Sequence, residues 1–121
     1  MSDVHNVTDL LQSGLKAEML RQKAIAGNVA NIETPGYRRV DVRFEELLAK
    51  ALQASDEDND VEISPEIFAP RQTPVKSNGN DVNLETEVGK MVENTLKQTA
   101  YVRLLNKKFQ QYQLAIDTSK T

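Results

Sequence analysis

Cysteine is absent from the 121 residues, which removes disulfides, thiolate metal ligands and a cysteine nucleophile together. Tryptophan is missing too, and aromatic residues make up 5% of the chain, so any core is aliphatic and thin. The single histidine, His5, stands near the amino terminus, where neither a histidine metal site nor a Ser-His pair can be assembled around it. No stretch approaches the roughly 20 apolar residues that cross a bilayer. Cationic excess is lacking as well: the net charge is -3, and phosphate binding needs clustered Lys and Arg, so neither nucleic acid nor direct membrane insertion is expected. Met1 to Asp9 is polar and acidic and Leu10-Leu11 is soon interrupted, so no cleaved signal peptide is expected.

What is present is helical periodicity at both ends. The length suits one small structural unit. From Val7 to Ile32, Leu11, Leu15, Met19, Ile25, Ala26, Val29 and Ile32 recur at helical spacing with Lys16, Glu18, Arg21 and Lys23 between them, which predicts an amphipathic helix. Thr8 or Asp9 can cap its start. Thr34-Pro35-Gly36-Tyr37 must end it by about Ile32, because Pro35 drives Thr34 out of the helical region and Gly36 supplies the positive φ of a turn. Val40 and Val42 then alternate with Arg39, Asp41 and Arg43, as in a short extended segment. Phe44, Leu47, Leu48, Ala51 and Leu52 share one face of a second, shorter helix.

Residues 55–82 differ in character. They carry the acidic run Asp56 to Asp60, Pro65, Pro70, Pro74 and the turn pair Asn78-Gly79, and too few apolar side chains to offset ordering entropy. A flexible linker is expected, with a short strand at Val61 to Ile63 or at Ile67-Phe68. Beyond Asn83, alternate steps of three and four pick out Val88, Met91, Thr95, Gln98, Val102, Leu105, Phe109, Tyr112 and Ile116. Seven of these nine are apolar, which predicts a heptad seam on a helix from about Leu84 to Asp117.

The predicted fold is therefore all-α: long N- and C-terminal helices forming an antiparallel coiled-coil hairpin, with a short extended segment, a short helix and a flexible middle. The parts are residues 1–36 (helix and turn), 37–54, 55–82 and 83–121, all one structural unit. Two helices make a narrow core, and Leu10, Leu20, Leu96, Leu104 and Leu114 fall outside a single seam, so association and folding are expected to be coupled.

Three further patterns bear on chemistry. Asp56, Asp58 and Asp60 suggest a calcium loop, but such a loop needs Gly at its sixth position and Glu at its twelfth, where Val61 and Ile67 stand. Arg38, Arg39 and Arg43 cluster beside Asp41, Glu45 and Glu46, which favours ion pairs over a phosphate site. In Ala26-Gly27-Asn28-Val29-Ala30-Asn31-Ile32-Glu33-Thr34-Pro35-Gly36-Tyr37, Asn28 and Asn31 can bond exposed carbonyls or a neighbour's backbone, while Ala26, Gly27 and Ala30 permit close backbone approach.

That last segment resembles the N-terminal signature A-N-N-I-A-N-x-x-T-P-G-[FY] of the flagellar rod and hook axial proteins, with Gly27 departing from it. Arg39-Val40-Asp41-Val42-Arg43-Phe44 and Gly79 to Glu87 are similar to segments of the proximal members of the flagellar basal-body rod protein family, as is the run from Leu104 to Ile116. The resemblance implies a structural subunit exported through the flagellar type III apparatus and polymerising helically in the periplasm. It also implies contacts with its own copies, with the rod proteins FlgC and FlgF, and with the adaptor FliE and the export gate. The residues expected to carry this are Ala26, Asn28, Ala30, Asn31, Thr34, Pro35, Gly36 and Tyr37 in the assembly and turn motif. For helix packing they are Leu11, Leu15, Val29, Val88, Met91, Val102, Leu105, Phe109, Tyr112 and Ile116. No catalytic, cofactor-binding or metal-binding residue is expected, and an enzyme ranks behind a helical-hairpin adaptor or secretion chaperone, which is the alternative reading.

Overall fold

The computed structural model describes residues 2–54 and 63–120, and the side chains of residues 7–53 and 63–120. The acidic run from Asp56 to Asp60 and Val61 lie outside the described residues. The order is α1 (Ser2–Ala30), β1 (Asp41–Arg43), α2 (Glu45–Ala54), β2 (Glu66–Phe68) and α3 (Leu84–Ser119). Most of the chain is helical, as its periodicity requires, but α1 begins six or seven residues before the expected cap. An all-α description also omits a two-stranded antiparallel sheet, in which Asp41 faces Phe68, Val42 faces Ile67 and Arg43 faces Glu66. Arg43 lays its guanidinium 4.2 Å from the centre of the Phe68 ring, a cation–π contact across the two strands.

Each helix end has a local cause. Asn83 caps α3 by accepting from the Thr86 N–H at 3.1 Å, which satisfies one of the orphan donors of the first turn. The 36 residues that follow span about 54 Å at 1.5 Å per residue. α1 gives way at Asn31 to a turn in which Gly36 takes φ +75°, a value open to glycine without steric cost. α2 buries Phe44, just before its first turn, against Ala17 of α1 and Ile63, with Leu10, Leu47, Leu48 and Ala51 around them. This small cluster is centred on the aromatic ring of Phe44, with aliphatic side chains around it.

α1 and α3 lie in contact, and their partners can be followed in sequence. Asn28 donates to Glu87 at 3.2 Å. Asn94 donates to the Glu18 carbonyl at 2.6 Å and to its carboxylate at 3.1 Å, and Gln98 donates to Gln22 at 3.1 Å. The Tyr101 ring lies over Gly14 so closely that a Cβ there would come within 2.4 Å of it. Thr8 and Tyr112 share a hydroxyl hydrogen bond of 2.6 Å.

This layer corrects the expected seam. Leu105 is buried and Tyr112 half-buried, but Val88, Met91, Val102, Phe109 and Ile116 are all exposed, Val88 by 52% and Phe109 by 51%. At 100° per residue, Glu87, Asn94, Leu105 and Tyr112 share one line along α3, and the exposed apolar residues lie to one side of it. Counting apolar residues located the stripe; the face turned toward α1 is largely polar. On α1, Leu11, Leu15 and Val29 are half-buried.

The middle is also more structured than its composition implied. Residues 63–82 include β2 and end in a buried run, Asn80, Asp81 and Val82. Hydrogen bonding supplies what apolar burial does not.

Candidate functional site

The C-terminal end of α1 meets residues 37–41 and 78–87 in one polar cluster. Asn28 is fully buried because it sits in the last turn of α1, on the side facing α3. Its Nδ2 donates to the Val40 carbonyl at 2.9 Å and to Glu87 at 3.2 Å. Its Oδ1 accepts from the Tyr37 hydroxyl and the Val40 N–H, both at 2.9 Å. Asn31 closes the helix end, donating to the Gly27 carbonyl at 2.8 Å and accepting from Thr34 at 3.1 Å.

Asn80 reaches the same helix end from the other side. Its Nδ2 donates to the carbonyls of Asn31 and Thr34, each at 2.8 Å, and its Oδ1 accepts from the Val82 N–H at 2.8 Å. Gly36 donates its N–H to the Asn78 carbonyl at 2.9 Å, and a Cβ on Gly79, itself at φ +86°, would lie 3.3 Å from the Gly36 Cα. Two turns thus touch backbone to backbone; the approach and the positive φ both call for glycine at position 79, whereas Gly36 owes its place to its own φ of +75°, a Cβ there meeting nothing within 4 Å.

Ionic contacts complete the cluster. Asp81 accepts from the Arg39 N–H at 2.5 Å and from the Arg38 guanidinium at 3.0 Å. Burial pushes its carboxyl up, but these donors outweigh burial and hold it below the usual aspartate value. Arg39, buried, donates to Glu87 at 2.7 Å and lies 3.6 Å from Asp41, which also faces Lys90 at 3.6 Å. Burial raises the Tyr37 hydroxyl above its ordinary value, and Glu87 adds to the shift.

Beside this cluster lies a cleft of about 200 Å³ lined by residues including Arg21, Arg43, Glu45, Lys90, Glu93 and Lys97. Its charges are matched to one another: Arg21 bonds Glu18 and Glu45, and Lys97 lies 3.1 Å from Glu93 and 3.8 Å from Glu45. The Arg21 hydrogen bond is the chief cause that holds the Glu45 carboxyl below its ordinary value. The arginine cluster of the sequence makes ion pairs as well, Arg38 with Asp81, Arg39 with Asp41 and Glu87, and Arg43 with Glu46. Among the described residues no three His, Cys, Asp or Glu side chains group closely enough to hold a metal ion, and no helix is long and apolar enough to cross a membrane.

The structure brings together Asn28, Asn31, Thr34, Gly36 and Tyr37 from the turn motif. Ala26 and Ala30 on α1 and Pro35 in the turn are exposed and make none of these bonds; Thr34 and Gly36 are exposed too but bond to Asn31 and Asn78. Asn80, Asp81, Glu87, Asn94 and Gly14 were not singled out individually by sequence reasoning. A glycine inside a helical pattern, at a cost of about 1 kcal/mol relative to alanine, was the signal available for Gly14.

Residues 9–38, which hold most of α1 and the turn, match the family model described as flagella basal body rod protein. The chain is 32% identical over 108 residues to the flagellar basal body rod protein FlgB of Bacillus subtilis, covering 82% of this chain and 84% of that protein. The chain belongs to the flagellar basal body rod protein family. Other flagellar basal body rod proteins named FlgB are similar to it: that of Borreliella burgdorferi at 28% identity, covering 79% of this chain and 84% of the relative, and that of Borrelia hermsii at 25%, covering 89% and 93%. As a flagellar basal body rod protein it is a structural component of the rod and not an enzyme. The polar cluster is accordingly a site of architecture and not of turnover.

Proposed function

We propose that this rod protein polymerises helically through α1 and α3, paired as an antiparallel hairpin, to form a proximal part of the drive shaft and export channel. The observation that carries this reading is the row on α3 that its own described residues leave uncovered: Val88, Met91, Val92, Val102, Phe109 and Ile116, with Met19 exposed on α1. Apolar surface of this extent along one helix is favourable to bury against another subunit. Its partners are further copies of itself, the rod proteins FlgC and FlgF, and the adaptor FliE with the export gate at the base. Its place is the periplasmic rod, reached through the flagellar export apparatus.

Sedimentation of the purified chain, alone and mixed with other rod proteins, tests the reading. Helical polymers or mixed rod assemblies are the expected result. A discrete complex of fixed small stoichiometry would instead fit a secretion adaptor and overturn polymerisation.

A further inference from the structure

We infer that Asn28 at the end of α1 serves, with Asn80, as a joint internal to the chain, setting the bearing of the arm of residues 37–54 and 63–82 on the helix pair, and does not serve as a contact with a neighbouring subunit. The inference concerns how these two side chains work and holds whether or not the chain polymerises as proposed above. The first ground is capacity. A primary amide offers two donors and two acceptor lone pairs. All four of Asn28 are taken within the chain, by Val40 twice, Tyr37 and Glu87. Both donors of Asn80 are taken by the helix-end carbonyls of Asn31 and Thr34, and its oxygen by Val82. With both side chains wholly buried, no polar group of either is left to offer a second molecule.

The second ground is geometry. The arm leaves the helix pair at Tyr37 and returns at Asn80, and both points are tied to the same turn. Gly36 bonds Asn78, Asp81 holds the Arg39 backbone, and Glu87 at the start of α3 receives both Asn28 and Arg39. A rotation of the arm about its attachment would break bonds on both strands of the chain at once. Such a joint gives the described residues that leave and rejoin the helix pair a fixed direction, which a regular polymer needs of every subunit.

The test uses the purified full chain and reads backbone amide exchange together with motility of cells that carry only the variant. Asn80→Ala removes both donors to the helix end. It is expected to speed exchange in residues 37–43 and 78–84 of the isolated chain by at least about tenfold, with a much smaller change in residues 94–105. Tyr37→Phe removes one hydroxyl and keeps the ring; it is expected to act in the same segments more weakly, and it keeps the inference testable if Asn80→Ala does not fold. Unchanged exchange in the isolated chain for both variants, with motility lost, would assign the two asparagines to a neighbour and overturn the inference. An isolated wild-type chain without protection in those segments would overturn it as well.

Discussion

The two ends of the helix pair are held in different ways. Where α1 stops, Asn28, Arg39, Asn80, Asp81 and Glu87 are buried and bonded to one another. Toward the start of α1 and the end of α3, the contacts among the described residues include the Tyr101 ring on Gly14, buried Leu105 and the Thr8–Tyr112 hydrogen bond. Phe109, Leu114 and Ile116 there remain exposed. The difference teaches that one end is specified by directional bonds within the chain, where a wrong arrangement leaves buried polar groups unpaired. The other end keeps apolar surface in reserve, and apolar surface is indifferent to which partner covers it.

The largest effect that would break this comparison falls at that other end. Leu105→Asp places an unpaired charge at a buried position between the helices, with an expected loss of about 3 kcal/mol or more. Chemical denaturation followed by circular dichroism measures it, and a loss below 1 kcal/mol would show that the far ends are not packed together at all. Next in size is Gly14→Ala, whose new methyl meets the Tyr101 ring. It should cost about 1–2 kcal/mol by overpacking. In a Tyr101→Ala background the same change should reverse sign and stabilise by up to about 1 kcal/mol through helix propensity; a cost that persists there would remove the ring as the cause.

A pH titration sharpens the other side of the comparison. Because Asp81 is held below the ordinary aspartate value in the folded chain, its contribution is present in full above about pH 4 and is lost as pH falls through the folded value. Glu45, lowered by Arg21, acts in the same direction as the pH falls. The thermal midpoint of the isolated chain should therefore drop below about pH 4, and Asp81→Asn should flatten part of that slope. An identical slope in the variant would take Asp81 out of the joint. The smallest effect on the isolated chain is expected for Phe109→Ser, within about 0.5 kcal/mol because the ring is half in water already. The same variant should impair motility, and normal motility would remove Phe109 from the intersubunit surface.

How much of this was legible in the sequence depended on which physical force was at work. The end of α1 followed from Pro35 and Gly36, the inner face of α2 from Phe44, Leu47, Leu48 and Ala51, though Leu52, expected on the same face, is 56% exposed, and one of two suggested strands from Ile67-Phe68. Each rests on backbone sterics or apolar periodicity, which can be counted. The phase of α3 could not be counted in that way. Periodicity finds the apolar stripe, whereas α3 turns Glu87, Asn94 and Gln98 toward α1 and keeps the stripe for the outside. The order of residues 78–82 was hidden for the same reason, since side-chain hydrogen bonds between Asn80, Asp81 and distant backbone leave no periodic trace. Within the site, Asn28, Asn31, Gly36 and Tyr37 were readable as a motif, but their partners on 78–87 required the fold.

Gly36 and Gly79 touch at the point where the chain departs for its excursion and the point where it comes back. A detour that starts and finishes on one spot is closed at its root, so the parts of its contour that do not pack on α1 can grow or shrink without parting the two turns. Doubling a loop adds only about 0.6 kcal/mol of closure entropy, so a longer lobe grafted between Phe68 and Asn78, away from the elements that pack on α1, would leave the two glycines in contact.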